Sequence, residues 1–576
     1  MNPTPTERSW WRDAVVYQVY VRSFADSNGD GIGDIAGIRS RLDHLSSLGV
    51  DAIWLNPCYP SPQRDHGYDV ADYFAIEPDY GTLADFDALV AAAAEHGIRI
   101  VMDLVPNHCS NEHAWFVAAV EGEPDGPERA RFWVRDGLPD GSGDAHGAPP
   151  NNWRAAFGGP AWTRLSPTDP QWYLGTFSPH QPDINHTNAD VQAMFVDVIE
   201  FWFERGVDGF RVDAIRPVGK HPDLPDQPPV PEGIRAVEIT WLNPHIDFRP
   251  EGHDVWRYFR RTIDTYTADH PGRDLMMVAE AYLVGRPEVI AEFTRPDEFH
   301  QAFSFDLMLA AWSKESIENA LADVFWLADR GVPPCWALNN HDIQRIVTRL
   351  GRADAHVADS LGGSSLLRST APVDEEVGRR RSRATIALAM ALPGSIYLYQ
   401  GEELGLPEVL DVPDDRREDP VFLMTGGAEQ GRDGSRVPIP WTAEPSTSYG
   451  FSDPPGAGGD PDPPWLPQPD GWGDRSLAEQ VGEEDSMVEL YRTLIAARSV
   501  HAVQQPDTAE LVDLGAALIA VRRGDLLAVM NVSGEPVALD LDRGELGGAR
   551  PVLASEPADM HTPGVIPPDS TIWLVS

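Results

Sequence analysis

Residues 15–21, Val-Val-Tyr-Gln-Val-Tyr-Val, are β-branched or aromatic at nearly every position and read as a strand. Residues 51–55 and 98–105 form two further short apolar runs of the same kind. Between them, apolar side chains recur at helical spacing over 35–48 and over the alanine-rich 83–96, which Gly97 ends. The alternation continues with a helix at 191–205, a strand at 207–212, a helix at 255–266 and strands at 275–279 and 302–305. A helix at 317–328, a strand at 335–338, a helix at 383–392 and a strand at 395–399 complete it. Eight strands alternating with helices predict an α/β fold, a (β/α)8 TIM barrel. A doubly wound sheet is the alternative, but no G-x-G-x-x-G loop follows the first strand.

Two stretches break the rhythm. Residues 109–180 hold Pro, Gly, Asn and Trp without a period, which predicts an irregular inserted subdomain after the third strand. Residues 401–483 are again rich in Pro, Gly and Asp, a long excursion after the eighth strand. Both follow strand ends, hence the C-terminal face on which barrel enzymes work. A closing helix is expected at 487–497. Beyond it, short alternating strands such as 517–521 and 526–530 predict a small C-terminal β-sandwich of antiparallel strands. The predicted domains are a barrel of residues 1–108 and 181–504, an insert of 109–180 and a β domain of 505–576.

With 576 residues and 42% hydrophobic positions, the chain has ample material for several cores. Its 45 basic and 90 acidic residues leave a net charge of −45, which argues against nucleic acid and anionic membrane as partners and leaves neutral sugars open. Lys220 and Lys314 are the sole lysines. No apolar run is long enough to cross a membrane, and residues 1–12 contain no apolar stretch of a signal peptide. The three widely spaced cysteines Cys58, Cys109 and Cys335 fit reduced thiols in the cytoplasm. A monomer or homodimer is expected.

Chemistry gathers at the strand ends. Residues 209–215 read Gly-Phe-Arg-Val-Asp-Ala-Ile, and period-2 alternation puts Arg211 and Asp213 on one side. The guanidinium is expected to lower the pKa of Asp213 and keep it ionised. Asp103, Asn107 and His108 follow the third strand, Glu280 the fifth, and Asn339, Asn340, His341 and Asp342 the seventh. Three acids converging over a barrel mouth must split their pKa values, the arrangement for retaining glycoside hydrolysis. Separately, Asp26, Asn28, Asp30, Ile32 (through its carbonyl) and Asp34 fall on alternate positions of a Gly-rich loop, suited to a hard cation. An EF-hand would need an acid where Gly37 stands. An Asp/Asn turn that caps the next helix is the other reading.

The runs Asp103-Leu-Val-Pro-Asn-His108, Gly209 to Ile215, Val278-Ala-Glu-Ala281 and Asn340-His-Asp342 resemble the ordered motifs of the α-amylase family of glycoside hydrolases, family 13. Gln181-Pro-Asp-Ile-Asn185 and Gly431-Arg-Asp-Gly434 are similar to its α-glucosidase and oligo-1,6-glucosidase branch. The resemblance implies Asp213 as nucleophile beside Arg211, Glu280 as acid/base, and Asp342 holding the 2- and 3-hydroxyls. It also implies that His108 and His341 bind the non-reducing glucose. Asp65, Tyr68 and Arg417 would close the inner end, and Phe157 and Phe177 would line the entrance. The loop at 26–34 would hold structural calcium or magnesium. Ala214 after the nucleophile implies α-1,4 preference, hence release of glucose from maltose and short maltooligosaccharides, with transglucosylation open. Oligo-1,6-glucosidase, or a sucrose- or trehalose-converting enzyme on the same scaffold, is the alternative.

Overall fold

The computed structural model describes residues 8–229, 242–357, 369–456, 459–541, 548–556 and 564–576. Residues 1–7 of the N-terminal stretch, and Val230 and Pro231 of the proline-rich segment after Asp213, lie outside the described residues. In chain order, β1 (Val15–Val19), β2 (Ala52–Leu55) and β3 (Arg99–Leu104) open the barrel. An insert follows, carrying β4 (Val134–Asp136), β5 (Trp162–Arg164) and β6 (Gln171–Leu174). The barrel resumes with β7 (Gly209–Val212), β8 (Met276–Ala279), β9 (Gln301–Ala302), β10 (Cys335–Ala337) and β11 (Ser395–Tyr399). These eight barrel strands run parallel in the order β10-β11-β1-β2-β3-β7-β8-β9, and a bridge from Ser304 to Trp336 joins the two ends. Burial on both faces explains why the strands read as largely apolar runs, broken by buried polar residues such as Gln18, Asp103 and Arg211. Gly209 is needed where β7 meets β8, because a Cβ there would stand 2.7 Å from Met276 Cγ and from the Met276 carbonyl oxygen.

Several elements differ from the expectation. The helix predicted at 35–48 is two, Ile35–Ser40 and Leu42–Leu48. The Ser40 hydroxyl donates back to the Gly37 carbonyl at 2.7 Å, a local bond that competes with helix continuation at the break. The helix predicted at 383–392 starts earlier, as Glu375–Ala391, capped by Asp374 accepting from the amides of Glu376 and Val377. A run of three arginines at 379–381 hides its first turns from an apolar count. The sixth strand shrinks to Gln301–Ala302, since Phe305 already caps the helix Asp306–Leu309.

The insert is less irregular than expected. It has a helix, Ala114–Glu121, and a three-stranded antiparallel sheet in the order β4-β6-β5. Its core is Trp133, Trp153 and Trp162 with Leu174, joined by Leu224 and Ile246 from the segment after β7. Trp153 Nε1 donates to the Pro225 carbonyl at 2.8 Å and Asn151 Nδ2 to the Leu224 carbonyl at 2.9 Å. The insert and that segment therefore form one wall.

The closing helix is Met487–Ala497. After it come β12 (Glu510–Val512), β13 (Leu518–Arg523), β14 (Leu526–Asn531), β15 (Val537–Ala538), β16 (Arg550–Ala554), β17 (Val565–Ile566) and β18 (Ser570–Val575). They form a five-stranded antiparallel sheet, β12-β13-β14-β18-β16, and a β15–β17 pair. Trp573 Nε1 donates to the Ala387 carbonyl at 2.8 Å and so ties this domain to the barrel helix Glu375–Ala391. No helix among the described residues is long and apolar enough to cross a membrane.

Candidate active site

The strand ends place Arg211 at the centre of the barrel mouth. Asp103 and Arg211 are register partners on β3 and β7, and Arg211 Nη1 stands 2.6 Å from Asp103 Oδ1. The same nitrogen is 2.7 Å from Asp213 Oδ1, and Nη2 is 3.8 Å from Glu280 Oε2. The guanidinium lies over the ring of Trp54, 5.2 Å from its centroid. Alternation along β7 thus aims Arg211 and Asp213 the same way. Ala214 then turns into the left-handed region at φ 46°, uncommon for a residue with a side chain, and its amide donates to Glu280 Oε2 at 2.9 Å.

The expected electrostatics need correction. Burial pushes the Asp213 carboxyl well above its ordinary value, and Arg211 opposes this without reversing it; Glu280, Asp103 and Asp342 add to the rise. Glu280 is likewise raised by burial, against the pull of Arg211. Protons on this pair belong to the pair. Asp213 has the shorter contact with the guanidinium, 2.7 Å against 3.8 Å for Glu280, which favours its ionised form over that of Glu280. The acid held low is Asp342. Burial raises it, but His341 at 3.4 Å, Arg432 at 2.8 Å and Arg436 at 3.3 Å more than reverse that. Burial keeps His341 itself neutral, so the two arginines supply the charge. The split among the three acids exists, but the arginine predicted to hold one down is not the pair that does so.

The inner end of the cavity is a hydrogen-bonded wall. Tyr68 donates to Asp103 Oδ2 at 3.0 Å and stacks on His341, with centroids 5.4 Å apart and planes at 4°. Gln18 Nε2 donates to His341 Nδ1 at 2.7 Å, which leaves the imidazole proton on Nε2, facing the Tyr68 hydroxyl at 2.9 Å. His108 is buried, its pKa pushed down by burial to about 4, and Gln181 Nε2 lies 3.2 Å from its Nε2 and 3.1 Å from Asp65 Oδ2. Phe157 and Phe177 pack together, centroids 5.7 Å apart, beside His108. Asp65, Tyr68, His108, Phe157, Phe177 and His341, with Asp213, Ala214, Glu280 and Asp342, line one cavity of about 890 Å³, a volume suited to a small oligosaccharide.

Arg417 is not among the lining residues. It turns away, donating to the Gln430 carbonyl at 3.1 Å and lying 5.5 Å from the centroid of Phe422. Arg432 stands in the wall instead. It bridges Asp65 at 2.9 Å, Asp342 at 2.8 Å and Asp419 at 2.6 Å, with its guanidinium 5.4 Å from the centroid of Phe157. The Gly431 to Gly434 run was visible in the sequence, but nothing in its local pattern says which arginine of the excursion reaches the acids.

The oxygen-rich loop lies outside this cavity. Asp26 accepts from the amides of Gly29 at 2.7 Å and Gly31 at 2.9 Å, and Asp30 from Ile32 at 2.9 Å. Asp34 caps the helix Ile35–Ser40 by accepting from Gly37 at 2.6 Å, and Asn28 accepts from the Asp30 amide at 2.9 Å. The donor set is all oxygen, as a hard cation requires, yet the carboxylates are turned onto the loop's own amides. Among the described residues no cluster of three or more acidic, His or Cys side chains is arranged to hold a metal.

The family described as alpha amylase, catalytic domain, matches residues 18–506. A probable alpha-glucosidase of Rhizobium meliloti (strain 1021) is 36% identical over 96% of this chain and 93% of its own length. An oligo-1,6-glucosidase of Parageobacillus thermoglucosidasius is 33% identical over 88% of this chain and 86% of its own. Among solved structures, the alpha-glucosyl transfer enzyme XgtA superposes with a TM-score of 0.80 at 32% identity, covering 99% of this chain and 100% of that one. Matches of this extent, on a barrel whose mouth gathers Asp213, Glu280 and Asp342, make the chain a member of the α-amylase family of glycoside hydrolases.

Proposed function

We propose that this enzyme is a retaining, exo-acting α-glucosidase that releases glucose from the non-reducing end of short α-glucosides, with α-1,4 preference. The observation that carries the reading is the closed inner end, where Arg432 ties Asp65 to Asp342 beside the Tyr68–His341 stack. A wall there admits one terminal glucose and no further sugar behind it.

In the first step Asp213 Oδ attacks the anomeric carbon, the glycosidic bond breaks, and the proton of Glu280 passes to the departing oxygen. In the second, Glu280 takes a proton from water, the hydroxide opens the glucosyl ester, and glucose leaves with Asp213 restored. Asp342, held anionic by Arg432 and Arg436, binds hydroxyls of the same ring. A sugar hydroxyl in place of water gives transglucosylation, a reading supported by the likeness to a glucosyl transfer enzyme. Three buried free cysteines support a reducing, cytoplasmic setting.

Maltose, isomaltose, sucrose and trehalose offered side by side test the reading, with the first-released anomer followed by NMR. α-Glucose is expected first, and kcat/KM for maltose about tenfold above isomaltose. β-Glucose appearing first sinks the retaining mechanism, and isomaltose preferred over maltose sinks the inference from Ala214. We also propose that the loop of Asp26, Asn28, Asp30, Ile32 and Asp34 holds a structural calcium or magnesium ion. Exhaustive chelation should then lower the melting midpoint, and calcium or magnesium should restore it; an unchanged midpoint removes the ion from the account.

A further inference from the structure

Because Glu280 protonates the departing oxygen, the leaving group occupies the half of the cavity beyond Asp213 and Glu280, running out to an exposed rim at Thr370, Pro372, Leu410 and Gln430. The charged residues of this half are Asp247, Glu408, Glu429, Arg216 and Arg352. Both arginines are engaged by the protein. Arg216 Nη2 is 2.7 Å from Asp247 Oδ1, and its Nη1 donates to the Tyr282 carbonyl at 2.7 Å. Arg352 donates to Gln344 Oε1 at 3.0 Å and to the Ala371 carbonyl at 2.8 Å.

Lysine supplies nothing here. Lys220 is buried against Asp183 at 2.8 Å, and Lys314 pairs with Glu318 at 2.6 Å on a helix that does not line the cavity. Glu408 is held differently from the other acids. Its Oε2 accepts the Arg345 amide at 2.9 Å, while Oε1 has no hydrogen-bond partner among the described residues. The wall is shaped around it: a Cβ on Gly434 would stand 2.6 Å from Oε1.

We propose that this outer half is a subsite for an uncharged sugar, that Glu408 accepts a hydroxyl of that sugar, and that the same carboxylate excludes a phosphorylated one. The proposal rests on the α-glucosidase reading above. A neutral sugar presents hydroxyl donors to a fixed carboxylate oxygen. A sugar phosphate brings two negative charges to a wall of three carboxylates and two arginines, of which Arg216 is already paired with Asp247, and repulsion from the fixed Glu408 carboxylate is strong where water is partly excluded.

The test compares maltose with maltose carrying phosphate on C6 of its reducing glucose, and takes p-nitrophenyl α-glucoside as the reference. Burial pushes the Glu408 carboxyl up to about 7, against the opposing pull of Arg345, Arg352 and Arg349, so the assay is run at pH 8, where the group is charged. Wild-type kcat/KM should favour maltose over its phosphate by about 100-fold. In Glu408→Gln that ratio should fall by about tenfold, with KM for maltose rising more than KM for the aryl glucoside. Leu410→Arg places a cation on the exposed rim without disturbing the core, and should narrow the ratio by raising kcat/KM for the phosphate. A wild-type ratio within threefold of unity, or ratios unmoved in both variants, overturns the proposal. Absence of activity on maltose and on the aryl glucoside alike would instead overturn the α-glucosidase reading.

Discussion

Two arginines organise the acids of this cavity, and they are built in opposite ways. Arg211 sits on the floor of the cavity, at the C-terminal end of β7, and reaches Asp103 on the neighbouring strand and Asp213 two residues on. Its partners are set by strand register, so little besides the barrel is needed to position it. Arg432 sits in the side wall, on the excursion after β11, and gathers Asp65 from the segment after β2, Asp342 from beyond β10 and Asp419 from its own loop. The floor cluster sets Asp213, the proposed nucleophile, against Glu280, the proposed acid; the wall cluster ties Asp65 to Asp342 and holds Asp342 anionic. On the α-glucosidase reading proposed above, local strand geometry carries the bond-breaking chemistry, while long loops carry the recognition of a chain end.

The sharpest way to break the floor half of that comparison is Asp213→Asn. Turnover of maltose should fall by at least about 10⁴-fold, because the amide cannot form the ester. Stability should move the other way. A carboxyl whose folded pKa is raised above its unfolded value costs the native state stability as pH rises through that window, and an amide carries no such cost. The variant's melting midpoint should exceed wild type at pH 7 by about 2 °C, and the gain should vanish near pH 4. Retained turnover removes Asp213 from its role; a lower midpoint at pH 7 shows that the bond to Arg211 outweighs burial.

Glu280→Gln ranks next. Maltose turnover should fall by about 10²–10⁴-fold, with a smaller loss on p-nitrophenyl α-glucoside, whose leaving group needs less protonation. The pH profile adds a sign. Below the acid limb Asp213 is protonated and cannot attack; above the alkaline limb Glu280 has lost the proton it must give. Burial raises both groups, so both limbs should lie above ordinary carboxylate values, and Glu280→Gln should erase the alkaline limb. An alkaline limb that survives in the variant belongs to another group.

The same contrast explains what was legible in the sequence. Strands buried on both faces announce themselves as apolar runs, and a side chain at a strand end inherits its direction from the alternation. Arg211 and Asp213 can be placed in that way, and Glu280 and Asp342 by their position after strands. The sheet of the insert escaped because β4 and β5 are three residues each, set among prolines and glycines that mask any period. The pKa order is not legible, because an R-x-D spacing gives the guanidinium's position but not how deeply the acid is buried. The resemblance points to Arg417 and leaves Arg432 without a role, because both lie in one aperiodic excursion, where chain position says nothing of which side chain reaches the acids.

Those two arginines give the finest test of the wall. Arg432→Ala leaves Asp65, Asp342 and Asp419 without their shared cation in a largely dehydrated wall. Removing one partner of such a cluster costs about 3 kcal/mol, so the midpoint should drop, and freeing Asp342 from one of its two arginines should raise its pKa toward the carboxylate norm. Maltose kcat/KM should fall by about 10²-fold, chiefly through KM, and longer maltooligosaccharides should lose less than maltose because the inner end no longer stops a second sugar. Arg417→Ala removes a bond to the Gln430 carbonyl, at the outer rim, and a contact with Phe422, which does not line the cavity. Its kcat/KM should stay within about twofold of wild type, as expected for a residue away from the site. If instead Arg417→Ala matched Arg432→Ala in both midpoint and KM, the loop rather than one guanidinium would close the pocket. The contrast between a register-built floor and a single-residue keystone in the wall would then give way to a wall that acts as a unit.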